Sequence, residues 1–227
     1  MQLYKTATGN YWLPNPDKDC VLHAIINNQI WDNNLVYYIQ SRISADSVIL
    51  DLGGNFGQMS VMFSKMVAHG GHVHVFEADP FIYSVMSKNL AENHCINVTT
   101  YQSAVWNENG LDLFYPEADF TRFDSYGSYG IDPTTTTGQP VKSITIDSLG
   151  LTKVDLIKID VQGSDLNAMK GAVNTIAKFK PIIVFEYESL FNEEFGVTWN
   201  DYIQFIDSIG YHITHTVDTV NFVIESK

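Results

Sequence analysis

The chain has 227 residues, 45% of them hydrophobic and 13% aromatic, enough to bury a sizeable core as one domain. Thirteen basic against 26 acidic side chains leave a formal charge of −13, which sets the surface against polyphosphate backbones and so against RNA or DNA as partners. No apolar run approaches the roughly 18 residues of a membrane span and no signal peptide opens the sequence, so the expectation is a soluble cytoplasmic protein whose two cysteines, Cys20 and Cys95, stay free thiols.

Residues 1–46 read as an N-terminal extension or cap, with Trp12-Leu-Pro-Asn-Pro-Asp as turn and extended chain because its two prolines fix φ and remove donors. From Trp31 to Ile43, Leu35, Val36, Ile39 and Ile43 recur at helical spacing, which predicts a helix docked on a sheet or capping a pocket. Val48-Ile-Leu is a short continuous apolar run, as in a strand covered on both faces of a parallel sheet. It ends in Asp51-Leu-Gly53-Gly54-Asn55-Phe-Gly57, where the glycines allow a sharp turn and a close approach of main chain to a ligand, and Asn55 tolerates the same geometry. A helix follows, with Met59, Met62, Phe63 and Met66 on one face.

What this loop lacks narrows its ligand. Counted from Gly53, the third and sixth positions of a dinucleotide-binding Gly-x-Gly-x-x-Gly are Asn55 and Gln58, and no Gly-Lys-Ser/Thr follows. Asp51 suits a ligand with an ammonium and a sulfonium better than one with a pyrophosphate. The next strand, His72 to Phe76, ends in Glu77, twenty residues past Gly57, where an acidic group can accept hydrogen bonds from both hydroxyls of a ribose. That spacing serves NAD as well as S-adenosylmethionine, so it points to the nucleoside and not to the chemistry.

Three blocks together resemble the FkbM-type S-adenosylmethionine-dependent methyltransferases: Asp51-Leu-Gly-Gly-Asn-Phe-Gly57, Val75-Phe-Glu-Ala78, and Leu156-Ile-Lys-Ile-Asp-Val-Gln-Gly-Ser-Asp-Leu166 with Met169-Lys-Gly-Ala172 after it. The similarity spans about residues 47 to 188. Gly54 stands where the family commonly has Ala, Ala78 where it has Pro, and Gln162 where it has Glu; the first two exchanges are sterically mild, and the third removes a carboxylate. The resemblance implies a Rossmann-like class I α/β fold over residues 47–227, with a mostly parallel sheet, helices on both faces and a C-terminal antiparallel hairpin. It also implies S-adenosylmethionine as cofactor and S-adenosylhomocysteine as product, with Asp51, Gly53, Gly54, Asn55, Gly57, Glu77, Ala78, Ser103, Ala104 and Asp160 lining the cofactor. Ser103 and Ala104, at the end of a third strand over Asn97–Ala104, would meet the base. The reaction implied is O-methylation of a sugar or other small metabolite.

Further along, Phe81 to Asn93 reads as a helix started by Asp79-Pro80, and Leu111 to Tyr115 as an added strand. Residues 116–140 interleave aromatics with glycines, a composition expected of a substrate loop in which Tyr126 and Tyr129 stack on a sugar and Arg122 holds an anionic group. Lys142 to Asp147 reads as a short strand, with Asp147 capping the turn after it. Val154 to Ile159 is the fourth core strand; Asp160 falls at its carboxyl end beside the pocket, Lys158 lies two residues back on the same face, and Gln162 lines the acceptor side. Pro181 to Phe185 is the fifth, ending in Glu186. Asp160, Lys158 and Glu186 are therefore the candidate catalytic residues, and no metal is expected because no His or tight acidic cluster completes a site. Trp199 to Ile209 predicts an amphipathic helix, and Tyr211–His215 with Val220–Ile224 the closing hairpin. Two rival classes share these features: a NAD-dependent oxidoreductase, and a non-catalytic nucleoside-binding protein for which Gln162 is the best argument. A homodimer is compatible with the sequence, which does not specify oligomeric state.

Overall fold

A computed structural model describes residues 1–68, 70–131 and 134–227. The chain opens with a hairpin of β1 (Gln2–Lys5) and β2 (Asn10–Leu13), followed by α1 (Cys20–Ile26) and α2 (Asn33–Arg42). It then alternates β3 (Val48–Leu52), α3 (Gln58–Met66), β4 (His72–Glu77), α4 (Pro80–Glu92) and β5 (Val98–Gln102). After β6 (Ala104–Val105), β7 (Asp112–Tyr115) and β8 (Gln139–Ile144), the alternation resumes with β9 (Leu156–Ile159), α5 (Asp165–Lys170), α6 (Val173–Phe179), β10 (Ile182–Glu186), α7 (Ser189–Glu194) and α8 (Trp199–Ser208). It closes with β11 (Tyr211–Thr216) and β12 (Asn221–Ser226).

Seven strands form the main sheet in the order β11-β12-β10-β9-β3-β4-β5, parallel except at the antiparallel β12, as the sequence predicts. The chain leaves β3 toward β4 on one side and returns to β9 on the other. That reversal of strand order opens a crevice at the carboxyl ends of β3 and β9, where open α/β sheets bind ligands. Register levels the edge of this crevice. Leu52 pairs with both Phe76 and Ile159, and Ile159 with Phe185, so Gly53, Glu77, Asp160 and Glu186 follow in one row across the sheet.

The fold departs from sequence expectation at several points. The third strand stops at Gln102, and Ala104–Val105 turns away to pair with β8 in a separate three-stranded sheet with β7, leaving Ser103 at the break. The strand expected over 142–147 begins at Gln139 and gives way to a 3-10 turn at Ile146. Asp147 does not cap that turn; it accepts the backbone amides of Asn174 and Thr175 at the start of α6, 3.0 and 2.7 Å away. Helix α1 carried no distinct sequence signal. Of the 116–140 stretch, Asp132 and Pro133 lie outside the described residues; the described part holds a short 3-10 turn at Tyr126–Ser128 and the first residues of β8.

Residues 1–46 share the protein's core. Tyr11, Leu13, Val21, Leu22 and Ile25 pack with Phe56, Val75, Val85 and Met86 in one buried cluster. Asn89 on α4 and Asn93 at its C-cap hold the edge of β2 that faces away from β1. Asn93 exchanges two hydrogen bonds with the backbone of Asn10, and the buried Asn89 accepts from the Trp12 amide (2.6 Å) while donating to the Phe56 carbonyl (2.9 Å). Asn89 thus ties the leading hairpin to the glycine loop. Asn89→Ala strands both backbone groups, and a loss of about 2–3 kcal/mol is expected, read as a lower urea midpoint at unchanged slope.

Candidate active site

The glycine loop is folded against its neighbours so closely that side chains are excluded. Gly53 sits at φ +88°, and a Cβ there would strike the carbonyl of Asp160; its amide and that of Gly54 both donate to Phe76 O, 3.0 and 2.8 Å away. A methyl on Gly54 would run into Val75 and the sulfur of Met86, so the Ala-to-Gly exchange at 54 is not sterically mild in this chain. Asn55 takes the left-handed conformation at φ +47° and turns its amide onto Glu77 Oε2 at 2.9 Å, while Gly57, at φ +88°, leads into α3.

Beneath the loop lies a buried charge cluster. Lys158 Nζ donates to Gly53 O at 2.9 Å and stands 3.3 Å from Asp51 and 3.4 Å from Asp160. Asp51 is fully buried; Oδ2 accepts from Ser60 Oγ at 2.5 Å, and Oδ1 accepts no hydrogen bond and faces the lysine ammonium. Burial alone would lower the lysine pKa, but the charges of Asp51 and Asp160 outweigh it and hold the group well above its ordinary value. The expectation that Asp51 presents its carboxylate to a ligand is therefore corrected: it serves Lys158, and Lys158 in turn positions the loop and Asp160.

Two cavities meet at Asp160. The first, about 610 Å3, runs from Glu77, Ala78 and Ile82 past Ser103, Ala104, Val105 and Trp106 to Asp160, Gln162 and Ser164. Glu77 is buried and accepts the amides of Asn55 and Asp79, both at 2.9 Å; burial, opposed by those amides, pushes its carboxyl up to about 7. The second, about 420 Å3, is lined by Val21, Ile25, Trp31, Gly53 to Phe56, Gln58, Met59, Lys158 and Asp160.

At the join, Gln162 is held at φ +45° and its amide donates to Asp160 Oδ1 (2.9 Å) and Glu186 Oε2 (3.1 Å), bridging two carboxylates that would otherwise repel. Burial first, and then the charge of Asp160, raise the pKa of Glu186 and push Asp165 up to about 8. Gln162 Oε1 and the buried Ser164 Oγ have no hydrogen-bond partner, and both residues line the first cavity.

The aromatic loop roofs this cavity instead of offering a sugar platform. Tyr129 is buried, its hydroxyl exchanging hydrogen bonds with the backbone of Asp119 and its carbonyl accepting from Tyr115 Oη at 2.7 Å. Tyr126 packs against Phe56, Phe81 and Phe120. Arg122 lies over the ring of Phe123 in an outer groove that Asp160 does not line. Tyr129, buried, does not offer its ring to a sugar, and Arg122, expected to hold an anionic group, lines the outer groove. Asp19 fastens the roof: Oδ1 caps α1 through the Leu22 amide and Oδ2 accepts the Tyr126 amide, both at 2.8 Å.

These features fit an adenosine-bearing sulfonium. A cradle that added Cβ atoms would fill, a buried acid beside it and unpaired buried polar atoms along the cavity are what such a ligand needs. A methyltransferase FkbM domain model matches residues 51–213. The chain belongs to the FkbM methyltransferase family. The methyl donor of this family is S-adenosylmethionine, which leaves S-adenosylhomocysteine. Among solved structures, this FkbM-family chain is similar to the methyltransferase FkbM of Methylobacillus flagellatus KT (17% identity, TM-score 0.55, covering 92% of this chain and 56% of that one). It therefore spans little more than half of that protein's length. Similar folds are also seen in a precorrin-6y C5,15-methyltransferase of Geobacter metallireducens GS-15 (14%, 0.51, 86% and 87%) and a TehB-like SAM-dependent methyltransferase of Corynebacterium glutamicum (13%, 0.51, 90% and 92%). No curated protein matches the chain in sequence.

Trp31, Asp32, Gln58 and Ser164 belong to the site walls or their supports and escaped sequence reading; only Ser164 lay within a motif already singled out. Lys158→Met would leave the Asp51 charge buried and unpaired, and a loss of about 3–5 kcal/mol is expected in urea denaturation, with the added change Asp51→Asn recovering part of it.

Proposed function

We propose that the protein transfers a methyl group from S-adenosylmethionine to a hydroxyl of a small molecule, a sugar or glycan. The observation that carries this reading is the Asp160 carboxylate, one-quarter exposed at the join of the two cavities and held by Lys158 and Gln162. When bound, the cofactor supplies a methyl already activated on a sulfonium. The chain's own residues then have to hold, align and exclude water.

In this reading, Glu77 takes the ribose hydroxyls, Ser103 and Ala104 meet the base beside Ala78, and the loop from Gly53 to Gly57 receives the amino-acid tail. The acceptor oxygen forms its bond to the methyl carbon as the sulfur–carbon bond breaks and leaves its electron pair on sulfur. The hydroxyl proton passes to Asp160, a carboxylate within the reacting chamber. Glu186 acts through Gln162, fixing the side chain that orients Asp160. Among the described residues no group of three or more His, Cys, Asp or Glu side chains could hold a metal ion. The charge of −13 argues for a small or neutral acceptor over RNA. No helix among the described residues is long and apolar enough to cross a membrane, and a cytoplasmic setting is part of the proposal.

Asp160→Asn tests the proton transfer. With labelled methyl donor and a panel of neutral methyl glycosides, turnover should fall about 10²–10⁴-fold while S-adenosylhomocysteine affinity stays within about threefold. Undiminished turnover removes Asp160 from the mechanism.

Glu77 predicts a pH dependence. Its ionised form accepts from both ribose hydroxyls, so below about 7 binding must first expel a proton. Calorimetric affinity for S-adenosylhomocysteine should rise between pH 6 and 7, by up to about tenfold per unit, and level off above. The rise should vanish in Glu77→Gln.

A further inference from the structure

The first cavity, under the Gly127–Ile131 segment, holds the nucleoside in the reading above, and Asp160 also lines the second chamber. Trp31 forms part of its wall and also lines an open surface cleft of about 890 Å3 with Asn28, Gln29, Asp32, Asn33 and Tyr37. We propose that this N-terminal cleft is the acceptor site, that it takes a neutral polyhydroxylated ring such as a sugar, and that Trp31 is the platform on which the ring lies. The proposal deepens the methyl-transfer reading and rests on it.

The lining matches that occupant. Trp31 and Tyr37 remain 38% and 56% exposed, although large aromatics of a folded chain are mostly covered. Each offers an apolar face and a polar tip, suited to a ring with C–H faces and hydroxyl edges. Amide side chains of Asn28, Gln29 and Asn33 around them both donate and accept, as hydroxyls do.

The platform is also held in register with the cofactor loop. Gln58, buried at the first position of α3 directly after Gly57, accepts the Trp31 amide at 3.0 Å and donates to the Gln29 carbonyl at 2.8 Å. The clamped segment is bracketed by left-handed residues, Asn28 at φ +61° and Asp32 at φ +48°. Asp32 occupies the N-cap of α2 without capping it, and its carboxylate feels the charges of Asp160, Lys158, Asp218 and Glu188. Burial, then Asp160, push it up to about 6. Acids on this side of the chamber disfavour anionic acceptors such as sugar phosphates.

The test uses neutral methyl glycosides and the matching sugar 1-phosphates with labelled methyl donor, and calorimetry of S-adenosylhomocysteine on the same proteins. Trp31→Ala and Tyr37→Ala should each raise KM for a labelled glycoside, at least tenfold for Trp31, while S-adenosylhomocysteine affinity is unchanged in Tyr37→Ala, whose side chain lies outside the chamber of the cofactor loop; Trp31→Phe should restore most of the Trp31 loss. If Trp31→Ala does not fold, the exposed Tyr37 and the Trp31→Phe variant carry the comparison. Unmoved KM in these variants overturns the proposal. So does a KM effect at Arg122→Ala in their place, which moves the acceptor to the outer groove, and so does labelling of sugar phosphates alone or of no sugar by a protein that binds S-adenosylhomocysteine. Failure of the unaltered protein to bind S-adenosylhomocysteine sinks the methyl-transfer reading instead.

Discussion

The site depends on one ammonium that is almost wholly buried. Lys158 lies within the sheet, and removing a charge from water costs several kcal/mol unless it is compensated. Asp51, Asp160 and the Gly53 carbonyl supply that compensation from two adjacent strands and the turn between the sheet and α3. In compensating the lysine they are themselves fixed: the turn is drawn down onto the Asp160 backbone, and the Asp160 side chain is held at the meeting of the two cavities. The same interaction that would be costly if broken is what keeps the loop in a shape only glycine permits.

A second layer of order comes from strand register. Because β3, β4, β9 and β10 end level, residues from four separate segments of the chain arrive in one row. Glutamine at position 162 belongs to this economy of charge. Between Asp160 and Glu186 a third carboxylate would add repulsion in a poorly solvated place, whereas an amide donates to both neighbours. The residue that argued for a silent protein thus has a definite structural use.

Much of this was legible in the sequence because it rests on local rules. The apolar run before Asp51, the glycine spacing, and the acids closing β4, β9 and β10 are one-dimensional signals, and they placed Gly53, Glu77, Asp160 and Glu186 at the right edge of the sheet. What could not be read depends on long-range packing. Asp51 was assigned to the ligand because its partner, Lys158, is distant in sequence and adjacent only through the β3–β9 pairing. Tyr129 read as a free aromatic until the backbone of Asp119 folded back onto its hydroxyl. Helix α1 is seven residues long, too short for periodicity to declare it, and Trp31 looked like the start of a helix that begins two residues later.

Asp19 gives the architecture a mechanical property. One planar carboxylate secures the first turn of α1 and, 107 residues further along the chain, the segment over the first cavity. Lifting that segment away pulls on the group that nucleates the leading helix, and fraying of the helix loosens the cover. The order of α1 and the order of the Tyr126–Ile131 segment are therefore coupled through this one side chain.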